Sequence, residues 1–449
     1  MQPKLGSESC ASVAKHAVGC SATVLRSAKQ QGEGEPRQAQ PSVAKKEPTM
    51  ALAIFWGAVS LIVYTYILFP ILTMIRGAFW PREHHSIAIA PSVSLIIAAY
   101  NEADSIRAKL ENVLALVYPR DSFEVLVASD GSTDGTNEIV REYEDRGIRL
   151  LALPRQGKAG ALNDAVAVAK GDILVFSDAN SMYDPDAIQE LVRPFADLAV
   201  GGVAGNQCYS DDMEDGRNAG EHSYWNFDRL MKEFQSRSGN AISATGAIYA
   251  IRRSLFDPVP GGVTDDFTIS TGVIEKGYRL VFASAAQAFE PASSSNSDEF
   301  GRKVRIITRG LRAVIVRRKL LNPFRYGFYS FQLFSHKVLR RLVVFPLLLL
   351  LVINPLLVLR SVFYQATMLA QLVFYGMAVV GFYAQSERIK QNKLITIPAF
   401  FCMVNGAALM ATINVLRGHR IERWEPKRVE VETSETADAG GIMPDAKGV

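Results

Sequence analysis

A chain of 449 residues with a net charge of +4 has room for one large domain or two smaller ones, and it lacks the basic surplus that a nucleic-acid partner would require. Hydrophobic residues make up 48% and the mean hydropathy is +0.08, high for a soluble enzyme, with the excess gathered near 51–75 and 342–416. The four cysteines (Cys10, Cys20, Cys208, Cys402) follow neither a disulfide framework nor a metal-binding spacing, which fits a reducing compartment.

Residues 1–49 are rich in Ala, Ser, Gln and Lys and poor in large apolar side chains, the composition of a disordered extension. They show no clear cleavage pattern for a targeting peptide, and Met50, directly before the first apolar run, is an alternative start. Residues 51–75 (ALAIFWGAVSLIVYTYILFPILTMI) carry no charge. Because about 20 apolar residues span a bilayer core, this stretch reads as a transmembrane helix rather than a buried core helix. Arg76 and Trp80 follow as interfacial anchors, so that 50–80 forms a membrane anchor.

From Pro91 the pattern alternates. Predicted strands at 93–98, 123–129, 148–153 and 172–177 are followed by predicted helices near 103–116, 135–145, 159–169 and 185–196. A strand at 200–208 precedes a polar, helical 212–237, and GAIYAIRR (246–253) reads as a strand entering a short helix. The alternation predicts an α/β domain over 91–297, with a mostly parallel sheet covered by helices on both faces.

Residues 298–320 are strongly basic on a helical period. Residues 322–341 alternate aromatic with basic side chains, which predicts a helix in the membrane interface, aromatic face down and basic face toward headgroups. Apolar runs follow at 342–359, 363–384 and 394–416; the first holds Asn354-Pro355 and reads as broken or re-entrant. A basic linker (385–393) and a polar, disordered tail from 421 complete the chain. With the α/β domain in the cytoplasm, one span before it and three after place both termini outside. The basic residues at 45–46 and 417–428 oppose that placement; a start at Met50 removes the first conflict and a re-entrant 342–359 the second.

Polar signposts stand where the predicted strands end, and ligands of open α/β sheets bind outside the carboxyl ends of the strands. Asp130 opens D-G-S-T-D-G-T (130–136): a plain turn and helix cap, or an acceptor of bonds from a base or ribose. In Asp178-Ala179-Asn180, two oxygen side chains can make an Asx turn or hold a hard divalent cation that bridges phosphates. Such an ion neutralises a diphosphate leaving group. Lys158, within R-Q-G-K-A-G (155–160) at a helix start, suits a phosphate, although the spacing is not that of a P-loop. Asp265-Asp266 reads as N-terminal capping or as the source of a general base, since two neighbouring acids raise the pKa of one. Arg302, Arg305 and Arg309 share a helical face: a solvated or headgroup-facing surface, or a clamp on pyrophosphate and acceptor.

Together, Y-N-E (100–102), D-G-S-T-D-G-T (130–136), G-K-A-G-A-L-N (157–163), S-D-A-N (177–180) and T-D-D-F (264–267) resemble the membrane-bound family 2 glycosyltransferases, the relatives of cellulose, chitin and hyaluronan synthases, over roughly residues 51–420. The resemblance implies a GT-A fold: a nucleotide-sugar-binding α/β domain that uses Mg or Mn. It implies that Asp130 contacts the uridine part of a UDP-sugar, with Tyr100, Asn101 and Glu102 lining the same pocket. Lys158, Asn163 and Arg305 fall on the donor side, with Lys158 and Arg305 at the diphosphate. Asp178 binds the metal-diphosphate, and Asn180 is the second metal position. Asp266 matches the family's base, which deprotonates the acceptor hydroxyl for in-line attack at the anomeric carbon with inversion; Asp265 and Arg302 fall on the acceptor side.

Two departures stand out. The family's D-x-D is here D-A-N, one negative charge fewer, and the Q-x-x-R-W of processive synthases is replaced by Arg302-Lys303-Val304-Arg305-Ile306, which counts against processive extrusion. The expected function is inverting transfer to a polysaccharide or glycolipid acceptor at a bacterial-type inner membrane, with the catalytic domain cytoplasmic. The partners expected are the nucleotide-sugar donor, a glycan or lipid-linked acceptor and membrane lipids. A non-catalytic scaffold or regulatory subunit on the same domain is the alternative; it would lack the base or the metal residue, and Asp266 and Asp178 are both present. A small-solute transporter is disfavoured because no span interior carries an ionisable residue.

Overall fold

The structure, a computed structural model, describes residues 49–210, 219–291, 296–384, 386 and 392–419. The extension at 1–48, the tail from 420 and most of the linker at 385–393 lie outside the described residues. Helix α1 (Thr49–Val63) passes through a π-turn at Tyr64–Leu68 into α2 (Phe69–Phe79). The helix over Met50–Phe79 is long and apolar enough to cross a membrane, as expected.

The α/β domain is built on β1 (Val93–Ala99), β2 (Phe123–Asp130), β3 (Ile148–Leu153), β4 (Ile173–Asp178), β5 (Met182–Tyr183), β6 (Val200–Ser210), β7 (Tyr249–Arg252) and β8 (Arg279–Pro291). They form one sheet in the order β3-β2-β1-β4-β7-β6-β8-β5. Strands β3, β2, β1 and β4 are parallel, in register Val125↔Ile148, Val93↔Phe123 and Val93↔Ile173. Strand β7 is antiparallel to both β4 and β6, β6 is parallel to β8, and β5 is antiparallel to β8, so the sheet is mixed with mostly parallel strands.

Helices α3 (Ala103–Leu114), α4 (Thr136–Arg141), α5 (Lys158–Val168), α6 (Ala187–Val192), α7 (Ala219–Arg237), α8 (Asp265–Glu275) and α9 (Asn296–Val316) accompany the sheet. Side chains alternate across a strand, so Leu95 and Ile97 pack with Ile106 and Leu110 of α3 and Ile188 of α6, while Ile96 packs on the other face with Leu162 of α5 and Phe267 of α8. Burial on both faces is why the central strands read as continuous apolar runs. The expected helix at 185–196 ends at Val192 and tightens into a 3-10 turn over Arg193–Ala196, since Pro194 has no N–H to continue the ladder. The expected helix at 135–145 likewise stops at Arg141.

The segment 322–341 departs from the interfacial helix expected there. It divides at Gly327 (φ +55°) into Pro323–Tyr326 and Phe328–Leu333, then runs through a π-turn at Phe334–Leu339. Phe324, Phe331 and Phe334 are exposed, but His336 is buried and hydrogen-bonded at 2.9 Å to Gln235 of α7, 3.5 Å from Asp228. This polar face turns into the protein rather than toward headgroups because α7 supplies its partners. Phe328–Leu342 and Val344–Leu357 meet at a 46° bend at the start of the first apolar run, whose helix Val344–Leu357 continues through Pro355 without the break expected at Asn354-Pro355, and Val362–Tyr383 and Lys393–Leu416 are each long and apolar enough to span a membrane.

Candidate active site

Three loops at the carboxyl ends of β1, β2 and β4 and the start of α8 converge. The first two are laced together. Asn101, at φ +52°, receives the Thr133 N–H on Oδ1 at 2.8 Å and donates its own N–H to Ser132 Oγ at 3.0 Å. The Glu102 N–H donates to Thr136 Oγ1 (2.8 Å) and the Ala103 N–H to Asp134 Oδ2 (3.1 Å). The Asp134 carboxylate also accepts the Thr136 N–H at 3.1 Å, so the D-G-S-T-D-G-T turn does cap α4 while fixing the Y-N-E loop.

Asp130 is 2% exposed, and its carboxylate accepts the N–H groups of Gln156 (2.7 Å) and Gly157 (2.9 Å) and pairs with the Arg155 guanidinium. It thus holds the loop that launches Lys158. Gly131 sits at φ +69° with the Arg155 backbone so close that an added Cβ would stand 2.9 Å from its nitrogen. Arg155 in turn lies 3.4 Å above the centre of the Tyr100 ring, a flat cationic-aromatic wall beside the loop.

Lys158 opens α5. Its Nζ lies 2.5 Å from Asp178 Oδ1 and 3.1 Å from Asp265 Oδ2, so the lysine expected at the diphosphate stands between two carboxylates. Burial works against its charge, but Asp178 and Asp265 outweigh burial and raise its pKa. Asp265 is buried, which disfavours its charge, yet Lys158 and Arg309 hold its pKa below the ordinary value. Asp266, half-buried beside it, is pushed up to about 6, first by burial and then by the Asp265 charge. Neighbouring carboxyls with opposed shifts divide into a permanent anion and a proton acceptor poised near neutrality.

Asp178 Oδ2 faces Gly246, where an added Cβ would stand 2.7 Å away. Among the described residues no group of three or more His, Cys, Asp or Glu side chains forms a metal cage. The Asp178 carboxylate, with Asn180 two residues on and space left beside Oδ2 by Gly246, would hold a Mg or Mn ion through oxygen ligands.

Other expected site residues are placed differently. Asn163 donates to the Val259 carbonyl (3.0 Å) and accepts its N–H (2.8 Å), so its amide is taken up in pinning the 259 loop. Arg302 pairs with Glu299 at 2.5 Å on its own helix. Arg309 grips the Val263 carbonyl at 2.6 Å, just ahead of the acidic pair. Arg305, whose pKa is lowered by burial and then by Arg309 and Arg302, is a half-buried cation on the same face.

One cluster escapes the motif reading. Lys109 of α3 is fully buried, donates to the Ser181 carbonyl and lies 3.7 Å from the centre of the Tyr183 ring; burial pulls its pKa down to about 7 against the pull of Asp178 and Glu290. Glu290 accepts from Ser181 Oγ and from Gln207 Nε2 (2.6 Å), and burial followed by Asp178 raises its pKa. The available signal is a lysine on the apolar face of α3, beside Ile106 and Leu110.

Residues 94–259 match the model of glycosyl transferase family 2. The poly-beta-1,6-N-acetyl-D-glucosamine synthase of Staphylococcus aureus (strain MSSA476) is 27% identical over 201 residues, which cover 43% of this chain and 48% of that protein. The probable glycosyltransferase YdaM of Bacillus subtilis (strain 168) is 26% identical over 222 residues, 46% of this chain and 52% of that one. The chain thus spans about half the length of the curated relatives it matches. Among solved structures, a mannosyltransferase from Pyrobaculum calidifontis, in complex with GDP-Man and Mn2+, shares the fold with a TM-score of 0.60, covering 81% of this chain and 99% of that chain at 22% identity. The domain at 94–259, with its GT-A-like mixed sheet, is thus similar to glycosyl transferase family 2.

Proposed function

We propose that the protein is an inverting glycosyltransferase that moves a sugar from a nucleotide-sugar donor to a glycan or lipid-linked acceptor at a membrane surface. The observation that carries this reading is the junction at Lys158, which brings Asp178 of the β4 end against the Asp265-Asp266 pair of α8. The Tyr100–Arg155 wall and the loop pinned by Asp130 suit the base and ribose of the donor. Asp178 and Asn180 would hold Mg or Mn, which when bound offsets charge on the diphosphate. Lys158 and Arg305 add positive charge on the same side.

Asp266 takes the proton of the acceptor hydroxyl. The hydroxyl oxygen then bonds to the anomeric carbon from the face opposite the diphosphate, and the carbon–oxygen bond to phosphate breaks with its electron pair leaving on the nucleoside diphosphate. One displacement inverts the configuration. A UDP-sugar is the favoured donor, and the name of the Staphylococcus relative favours an N-acetylglucosaminyl group. The domain at 91–297 carries the chemistry, and the apolar helices seat it on a bacterial-type inner membrane, cytoplasmic side inward.

Nucleoside diphosphate release tests this. Purified protein in nanodiscs is offered UDP-, GDP- and dTDP-sugars with Mg, Mn or a chelator. Metal-dependent release with one donor is expected. No release with any donor, with membrane lipid extracts supplied as acceptor, would favour the scaffold reading.

A further inference from the structure

A cavity of about 600 Å³ lies at the opposite end of α8 from the acidic pair. At 1.5 Å per residue, the 11-residue helix places it about 15 Å from Asp265. Arg76, Arg82, Arg325 and Gln332 all line it. Among the described residues no carboxylate pairs with Arg76, Arg82 or Arg325; Glu275, which also lines the cavity, is engaged by Arg317 at 2.8 Å and Lys319 at 3.2 Å.

The wall is built rather than incidental. Arg279, 6% exposed, donates to the carbonyls of Gly239 (3.0 Å), Glu83 (2.8 Å) and Arg82 (2.7 Å), which fixes the 82–83 segment to the sheet. Its pKa is lowered by burial and then by the like charge of Arg82. Two buried donors meet no acceptor: Nε2 of Gln332, a residue 1% exposed, and Nε of Arg76, whose guanidinium lies 4.6 Å from the centre of the Phe328 ring. Buried donors without partners cost stability unless something fills the site.

The position says what that is. Arg76 is in the last turn of α2, where the first apolar span ends, and Phe79 (73% exposed), Trp80 (67%) and Phe324 (100%) stand bare beside Arg76, Arg82 and Arg325 in sequence. Aromatic side chains of this kind mark the boundary between acyl chains and headgroups. We propose that this cavity binds the phosphate-bearing headgroup of an anionic membrane lipid, with Arg76 and Gln332 donating from inside and Arg82 and Arg325 closing on it from the rim. The inference rests on the first apolar helix crossing the membrane. It is independent of the sugar chemistry.

The test uses the full chain in neutral detergent, with phosphatidylglycerol, phosphatidylcholine or inorganic phosphate titrated in and bound lipid read by native mass spectrometry. Phosphatidylglycerol is expected to bind and phosphatidylcholine not. In an Arg82→Gln/Arg325→Gln double variant, whose altered side chains are exposed, phosphatidylglycerol affinity is expected to fall at least tenfold. Gln332→Leu should lower it severalfold. Equal binding of both lipids, or unchanged affinity in the double variant, would overturn the proposal. Displacement of phosphatidylglycerol by millimolar inorganic phosphate would overturn the lipid source and assign the site to a soluble phosphate compound. A separate check on reconstituted vesicles isolates the premise: protein that stays outside the bilayer removes the span, whereas inserted protein without headgroup preference removes only the pocket.

Discussion

Lys158 Nζ stands 2.5 Å from Asp178 Oδ1, and the same ammonium reaches Asp265 Oδ2 at 3.1 Å. One cation therefore joins the end of β4 to the start of α8, two motifs 87 residues apart in number (178 and 265). Lys158→Met leaves the buried Asp265 without its main counter-charge. Breaking such a pair costs up to 3–5 kcal/mol when fully buried. The partial exposure of Lys158 (24%) and Asp178 (33%) reduces this to about 2–3 kcal/mol, a fall of roughly 5–10 °C in thermal midpoint. Lys158→Arg should recover most of it. A thermal scan in detergent checks both, and an unchanged midpoint for Lys158→Met would contradict the ion-pair account.

Gly246 gives Asp178 its open side. A Cβ there would stand 2.7 Å from Oδ2, so Gly246→Ala should push the carboxylate aside. Donor affinity is expected to fall about tenfold, on the scale of one charge-assisted contact, while the fold survives, since the clash falls on the end of a side chain. Nucleotide binding by calorimetry reads the loss.

Asn180→Asp restores the missing negative charge of the D-x-D pattern, and cation affinity follows ligand charge. The divalent concentration at half-maximal donor binding should drop about tenfold, and Asp178→Ala should abolish the metal dependence of binding. A Mn titration of donor affinity checks both variants.

Turnover should fall on the acid side with a midpoint near 6. Asp266 is raised to about 6 by burial and by Asp265, so below that pH it carries a proton and cannot accept another. Asp265, held low by Lys158 and Arg309, stays ionised across this range. The stability its charge contributes is present above the ordinary value of 3.8 and is lost as pH falls through the lower folded value. Asp265→Asn should move the acid limb of turnover to lower pH. A pH profile of nucleoside diphosphate release measures the limb.

The parallel half of the sheet is legible because β1, β2 and β4 are buried on both faces and their apolar runs stop at polar residues. The strand order is not: β7 inserts antiparallel between β4 and β6, a pairing of distant segments that no local period encodes. The placement of Asp130 and Asp178 at strand ends and of Asp266 at a helix start is legible from where the apolar runs stop. The pairing of the Asn163 amide with the Val259 backbone is not legible, because the two lie 96 positions apart. Lys109 and Glu290 are hidden because their proximity to Asp178 is created by tertiary packing. By period His336 fits headgroups and a buried face equally well; Asp228 and Gln235, about a hundred positions earlier, draw it into the interior.

The proposed reaction turns on Asp266 accepting the proton of the acceptor hydroxyl. Its most direct test is Asp266→Asn, with donor binding and nucleoside diphosphate release measured on the same preparation. Binding is expected within about twofold of the native protein and release reduced by about 10²–10⁴-fold, the range of general-base catalysis. Release at near-native rate with donor binding intact would contradict it.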